Sequence, residues 1–277
     1  MNASRGSLAI ILGVIAAGAA SLRAQAVPAA EPVPLAPPAA AAAVTAGATY
    51  VSTYLFRGLY LGGQSAQPSL ELDYGGLALG VWESSPVDRA NRVPGQSDPE
   101  IDPYGSYLFD LGKGIGIQPG FTWYTYPKAP LDQGFYRMTF EPNVALSATV
   151  AGVKLTPKVY DDTVLRTATG ELNAGYALPL KSIGSELDLS GTAGTYHGTR
   201  VLNTGDRAGA AATSSWGNYW LLGASLPFTL STHLKLVAGW AYTRGAAAYL
   251  RTGAGAKAAN PAAAGRGVAS LGLSWTF

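Results

Sequence analysis

The sequence predicts an all-β fold: a transmembrane antiparallel up-and-down β-barrel of about twelve strands. Three observations predict it. The last residues, 269–277, alternate apolar and polar side chains to the final atom. The apolar stretch near the N-terminus is shorter than the roughly 20 residues a spanning helix needs, and no later segment supplies one. Between these ends lie candidate strands about ten residues long, joined by short links on one side and mostly long links on the other.

The terminal segment places Ala269, Leu271, Leu273, Trp275 and Phe277 against Ser270, Gly272, Ser274 and Thr276. A period of two gives a strand with one apolar and one polar face. Such a strand invites aggregation when it lies exposed at a chain end in water. A terminal aromatic strand resembles the assembly signal of bacterial outer-membrane barrels. The expected partner of Phe277 is therefore the barrel-assembly machinery.

Arg5, the apolar run 8–20 and Ala24-Gln25-Ala26 make a positive n-region, an h-region and an A-x-A cleavage site. Residues 1–26 are read as a cleavable signal peptide. Residues 27–43 form a Pro/Ala-rich linker whose prolines exclude a strand interior. That leaves 44–277 for the barrel. The absence of cysteine excludes disulfides, a cysteine lipid anchor and thiolate metal sites. The chain has 19 basic and 17 acidic residues. Cleavage removes Arg5 and Arg23 and no acid, so the exported chain has no formal net charge. No basic patch of the kind a nucleic-acid binder needs is present. Charged residues make up 13% of the chain, about half the usual share for soluble domains. An exported chain so poor in charge is expected in lipid, in the outer membrane of a Gram-negative cell, where a closed barrel satisfies its own backbone.

Twelve segments alternate. In the second, Ala66, Pro68, Leu70, Leu72 and Tyr74 oppose Gln67, Ser69, Glu71 and Asp73. The third carries Leu77, Leu79 and Val81. In the fifth, Ile115, Ile117, Phe121 and Trp123 oppose Gln118, Thr122 and Tyr124. In the sixth, Tyr136, Met138, Phe140, Val144 and Leu146 oppose Arg137, Thr139, Glu141 and Asn143. The seventh sets Val153, Leu155 and Val159 against Lys154, Thr156 and Lys158. The ninth sets Leu187 and Leu189 against Glu186, Asp188, Ser190 and Thr192. The tenth carries Trp220, Leu222, Ala224 and Leu226, and the eleventh Leu234, Leu236, Ala238, Trp240 and Tyr242. The first (44–57), fourth (99–110) and eighth (170–180) are less regular, and the terminal strand is the twelfth.

The even-to-odd links are short: 74–76, 110–114, 149–152, 181–185 and 227–233. The odd-to-even links 85–98, 127–133, 161–169, 197–214 and 244–267 are longer, and only the first, around 58–64, is compact. This asymmetry is the outer-membrane pattern and places both termini in the periplasm. Tyr50, Tyr54, Trp82, Tyr107, Trp123, Tyr126, Tyr136, Trp220, Trp240, Tyr242, Trp275 and Phe277 lie near segment ends, where interfacial girdles sit.

Ser52-Thr53-Tyr54-Leu55-Phe56-Arg57-Gly58 resembles the opening S-x-Y-x-F-R-G of the TorF-type porin family of proteobacteria. Gln67-Pro68, Gly80-Val81-Trp82-Glu83-Ser84, Glu100-Ile101-Asp102-Pro103-Tyr104 and Tyr124-Thr125-Tyr126-Pro127 continue the likeness. It covers nearly the whole exported chain and is most specific in the first half. It implies a barrel with a channel. Loops 197–214 and 244–267, rich in Ala and Gly, depart from it.

The polar faces are expected to line the interior. The candidate lining residues are Arg57, Glu71, Asp73, Glu83, Glu100, Asp102, Arg137, Glu141, Lys154, Lys158, Glu186 and Asp188, and Glu171 and Lys235 share the pattern. Such charges either shape a field across a pore or pair and plug the lumen. The balance of signs argues against strong ion selectivity. Arg57-Gly58 is read as structural, with Gly58 permitting a turn and Arg57 pairing with Glu71 or Asp73 on the next strand. Glu100 and Asp102 share a face, as Ca²⁺-binding carboxylates do, but a salt-bridge network with Arg137 or a lysine is the expectation. No metal or cofactor is assigned.

The two histidines, His197 and His233, fall on opposite sides of the membrane without a nucleophile-elbow or metal motif. No catalytic residue is assigned. The sequence thus points to an outer-membrane barrel that passes small hydrophilic solutes by diffusion, with loop 244–267 covering its mouth. A non-conducting docking barrel and an outer-membrane hydrolase are the alternatives.

Overall fold

The computed structural model describes residues 42–87, 99–129, 137–164, 166–198, 216–246 and 263–277. The signal peptide and nearly all of the linker fall outside these residues, as do most of loops 197–214 and 244–267 and Tyr136. The alternating segments form strands in chain order. They are β1 (Ala43–Val51), β2 (Tyr54–Phe56), β3 (Leu59–Gly62), β4 (Ser65–Tyr74), β5 (Leu77–Pro86), β6 (Glu100–Tyr107), β7 (Phe109–Gly112) and β8 (Ile115–Thr125). There follow β9 (Met138–Val150), β10 (Val153–Asp162), β11 (Thr167–Leu180), β12 (Ser185–Gly198), β13 (Trp216–Thr229), β14 (Leu234–Gly245) and β15 (Arg266–Thr276).

All of these except β2 and β3 join one sheet. β6 and β7 are two halves of one strand, since both pair with β8. β1 pairs with β4 on one side and with β15 on the other, from Thr45↔Thr276 to Val51↔Ser270. The sheet therefore closes, with every pairing antiparallel, into the expected barrel of 12 strands.

The short turns follow from local chemistry. A two-residue hairpin turn whose twist matches the sheet needs φ > 0 at both positions. Gly75-Gly76 has φ of 56° and 93°, Lys113-Gly114 of 56° and 79°, and Ala151-Gly152 of 51° and 82°. The second position is glycine each time, because the left-handed region costs it nothing. These turns share one end of the barrel with His233 and Phe277. The other end carries the long connections.

The pleat sorts side chains as the sequence pattern implies. Leu70, Leu72, Leu79, Val81, Ile117, Trp123, Leu146, Leu172, Trp220, Leu222, Trp240, Leu271, Leu273 and Trp275 are exposed on the outer face. Soluble monomers rarely expose an apolar belt of this extent. Hydrocarbon solvates it, and closure leaves no unpaired sheet edge there. Leu222 sits mid-strand with 48% of its surface exposed, whereas its neighbour Leu221 keeps 6% and points inward. Leu222→Arg is expected to destabilise the barrel by about 2–4 kcal/mol, the cost of a cation at the bilayer midplane. Denaturant unfolding in lipid vesicles measures this.

The first strand departs from expectation. It ends at Val51 rather than continuing to residue 57. The Ser52 amide still donates to Ala269 O at 2.9 Å, after which the chain turns inward. β2 and β3 pair only with each other, as a hairpin inside the barrel. The compact link anticipated around 58–64 is thus an element of its own, folded into the lumen.

Candidate functional site

The hairpin turns at Arg57-Gly58, with φ of 44° and 80°, the same two-residue signature as the rim turns. Phe56 faces Leu59 and Leu55 faces Tyr60 across it. Its side chains are matched to the wall around them. Leu55 packs with Val51, Leu221, Ala241 and Val268, on the arc of wall made by β13, β14, β15 and β1. Leu59 meets Tyr196, Tyr219 and Ala263. Tyr54 closes the opposite side against Trp82 and Tyr104. Gly58 lies so near β13 that an added Cβ there would stand 2.5 Å from Tyr219 Cβ and 3.1 Å from Gly245 Cα.

The tip delivers Arg57 to the charged arc. Its Nη1 and Nη2 donate to the two oxygens of Glu141 on β9 at 2.7 and 2.8 Å. This fork-to-fork pairing is the strong, orienting form of a charged hydrogen bond. Nη1 also reaches Thr169 Oγ1 at 3.5 Å, and Nε lies 3.8 Å from Glu171 Oε1. The guanidinium sits 4.2 Å from the centre of the Tyr160 ring and 4.8 Å from that of Phe56, within cation–π range of both.

Tyrosines hold the carboxylates in place. Tyr124 donates to Glu141 at 3.0 Å, Tyr160 donates to Glu171 at 2.6 Å, and Tyr219 also donates to Glu171. Arg57, Glu141 and Glu171 are all buried. A charge so buried is tolerated because it is paired and hydrogen-bonded.

Around this layer every barrel strand contributes a buried inward side chain. In order they are Val51, Gln67, Trp82, Asp102, Thr122, Glu141, Tyr160, Thr169, Tyr196, Tyr219, Ala241 and Val268. The hairpin therefore packs against this buried layer near the long-loop end.

Residues 35–243 match a family described as a bacterial protein of unknown function, Gcw_chp. The chain belongs to this family. No curated protein matches it. Among solved structures it is similar to an outer membrane channel from Pseudomonas putida F1, at 11% identity over 87% of this chain and 96% of that one, with a TM-score of 0.49. It is also similar to the NanC porin, at 10% identity over 85% and 99% of the two chains, with a TM-score of 0.48. An anion-selective porin from Comamonas acidovorans aligns at 12% identity over 85% and 98%, with a TM-score of 0.36.

In this Gcw_chp barrel, Glu71, Glu100, Asp102, Glu141, Lys154, Lys158, Glu186 and Asp188 take inward positions on their strands, and Asp73 shares that face at the short-turn rim. Glu83 does not. Trp82 and Ser84 hold the inward positions of β5, and Glu83 lies on the outer face, accepting from Ser85 Oγ at 2.6 Å. Trp82 and Tyr54 are accordingly lumen residues and not part of a girdle. Arg137 stands exposed before β9 rather than beside Glu100 and Asp102.

Those two carboxylates are held by tyrosines and a backbone amide. Glu100 accepts from Tyr54 at 2.6 Å and from Tyr126 at 2.9 Å. Asp102 accepts the Thr125 amide at 3.3 Å, and its other oxygen has no hydrogen-bond partner among the described residues. Arg57 pairs across the lumen with Glu141 instead of along the sheet with Glu71 or Asp73, because the hairpin carries it away from β4. Glu71 accepts from Tyr104 at 2.6 Å.

The charge balance of the chain is not the balance of its lumen. Glu71, Glu100, Asp102, Glu141, Asp162, Glu171, Glu186 and Asp188 face inward against Arg57, Lys154, Lys158, Lys235 and Arg266 among the described residues, Arg266 lying 4.1 Å from the centre of the hairpin's Tyr60 ring. Lys113, Lys128, Arg166, Lys181 and Arg244 lie exposed outside this wall. His233 is at the short-turn end, its Nδ1 2.8 Å from Thr276 O and its ring stacked on Trp275. His197 is near the far end of β12.

Proposed function

We propose that the protein is an outer-membrane, porin-like barrel that passes small hydrophilic solutes by diffusion when the Arg57 hairpin leaves the lumen. One observation carries this reading. The obstruction is not part of the barrel sheet, since β2 and β3 share no ladder with it. Side-chain contacts hold the hairpin in place, so it can leave without breaking a strand pair. Below it the wall is polar, with Gln118 Nε2 donating to Ser106 at 2.8 Å and Thr192 to Asn173 at 2.7 Å. The resemblance to TorF-type porins belongs to the same reading, as does a cleaved leader. Phe277, 71% exposed beside Trp275 at the short-turn end, is where we place contact with the assembly machinery.

The packing of the hairpin against the wall favours a second reading, a non-conducting docking barrel. Purified protein in planar bilayers separates the two. Brief, infrequent conductance steps from the wild-type chain, made long-lived when residues 53–63 are replaced by a short Gly/Ser turn, support the channel. A silent hairpin-deleted barrel that keeps its heat-modifiable migration supports the docking role.

A further inference from the structure

The Arg57 head group is seated as a ligand is seated. The wall supplies two carboxylate oxygens of Glu141 to its two terminal nitrogens, a hydroxyl from Thr169, the flanking carboxylate of Glu171 and the face of the Tyr160 ring. Phe56 adds a second ring face from the hairpin itself. The groups on the wall are fixed independently of Arg57. Tyr124 orients Glu141, while Tyr160 and Tyr219 orient Glu171. Departure of the hairpin therefore leaves a formed receptor for a planar cation, with the two Glu141 oxygens, the Glu171 carboxylate and the Tyr160 ring around it.

We propose that Glu141, Glu171, Thr169 and Tyr160 form a recognition site for guanidinium-bearing solutes, occupied in the closed barrel by Arg57. This rests on the channel reading for its purpose, since it names the solute class that competes with the hairpin as it enters. The chemistry selects guanidinium over ammonium. A planar fork makes two parallel bonds to one carboxylate and lies flat on a ring, whereas an ammonium is a compact, strongly hydrated point charge. The surplus of inward carboxylates draws cations toward the site. A tethered side chain competes at an effective concentration on the order of millimolar, so a free solute displaces Arg57 only at comparable or higher concentration.

The test is calorimetric titration of the detergent-solubilised barrel with methylguanidinium, methylammonium and neutral methylurea. Arg57→Ala empties the receptor. It is expected to bind methylguanidinium roughly tenfold or more tighter than methylammonium, the margin set by a lost charged hydrogen bond, with no heat from methylurea. Adding Glu141→Gln removes that preference, and the wild-type chain binds more weakly than Arg57→Ala. Arg57→Gln serves as a second emptied receptor should Arg57→Ala fail to assemble. Equal binding of the two cations overturns the proposal. So does absence of binding in a variant that keeps heat-modifiable migration, or wild-type binding as tight as the variant's. Binding is read without conductance, which separates the two readings. Selective binding in a silent barrel sinks the channel and leaves the site, and conductance without selectivity does the reverse.

Discussion

Arg57→Ala is expected to turn a mostly closed barrel into a mostly open one. The Arg57–Glu141 pair is bidentate, buried on both sides and backed by Glu171. Removing one partner of a buried pair costs about 3–5 kcal/mol, because the other charge is left uncompensated. Here the chain has a way to recover that cost. If the hairpin leaves, water reaches Glu141 and Glu171. At about 1.4 kcal/mol per factor of ten, the closed-to-open ratio falls by roughly a hundredfold to a few thousandfold. Planar-bilayer recordings are expected to show long-lived openings in place of brief ones, with the size of the single step unchanged. Glu141→Gln follows in the same direction but less far, since the amide oxygen still accepts one hydrogen bond and Glu171 remains 3.8 Å from Arg57 as its counter-ion. A variant that stays closed would mean that apolar packing alone holds the hairpin.

The barrel was legible in the sequence because its determinants are local. Alternation needs only neighbouring residues, and the rim turns announce themselves through Gly76, Gly114 and Gly152. The wall positions of Glu141, Lys158 and Asp188 follow from the same period. The hairpin was harder to read because Tyr54-Leu55-Phe56 continues the alternation of β1, and nothing in a period of two says that the chain has left the sheet. A signal did exist. Arg57-Gly58 has the form of Lys113-Gly114 and Ala151-Gly152, with Tyr54-Leu55-Phe56 on one side and Leu59-Tyr60-Leu61 on the other. That mirror arrangement marks a two-residue hairpin. Glu83 was misplaced because the side chain facing the lumen from β5 is the large aromatic Trp82, which hydropathy assigns outward. The partners of Arg57 were beyond local reading altogether. Glu141 and Glu171 lie 84 and 114 positions away, and only closure of the barrel brings them to one side of the lumen.

Gly58→Val is expected to open the barrel as Arg57→Ala does, with every charged group retained. Two effects act at this position. A β-branched residue at φ of 80° is strained, and its Cβ would sit 2.5 Å from Tyr219 Cβ and 3.1 Å from the Gly245 backbone. Neither neighbour can yield. Tyr219 is held by its bond to Glu171, and Gly245 lies opposite it in the β13–β14 ladder. Overpacking costs about 1–3 kcal/mol and a strained backbone a further 1–3 kcal/mol. Their sum is similar to the contribution of the Arg57 pair, so the hairpin is displaced with the pair still chemically possible. Because β2 and β3 share no ladder with the wall, barrel assembly and heat-modifiable migration are expected to stay as in the wild type. The double variant decides whether the two residues act on one equilibrium. Once the hairpin has left, neither contact remains to be lost, so Arg57→Ala with Gly58→Val should open no further than the more open single variant. Fully additive effects on open probability, measured where the single variants are still partly closed, would instead assign Gly58 a role in the barrel wall.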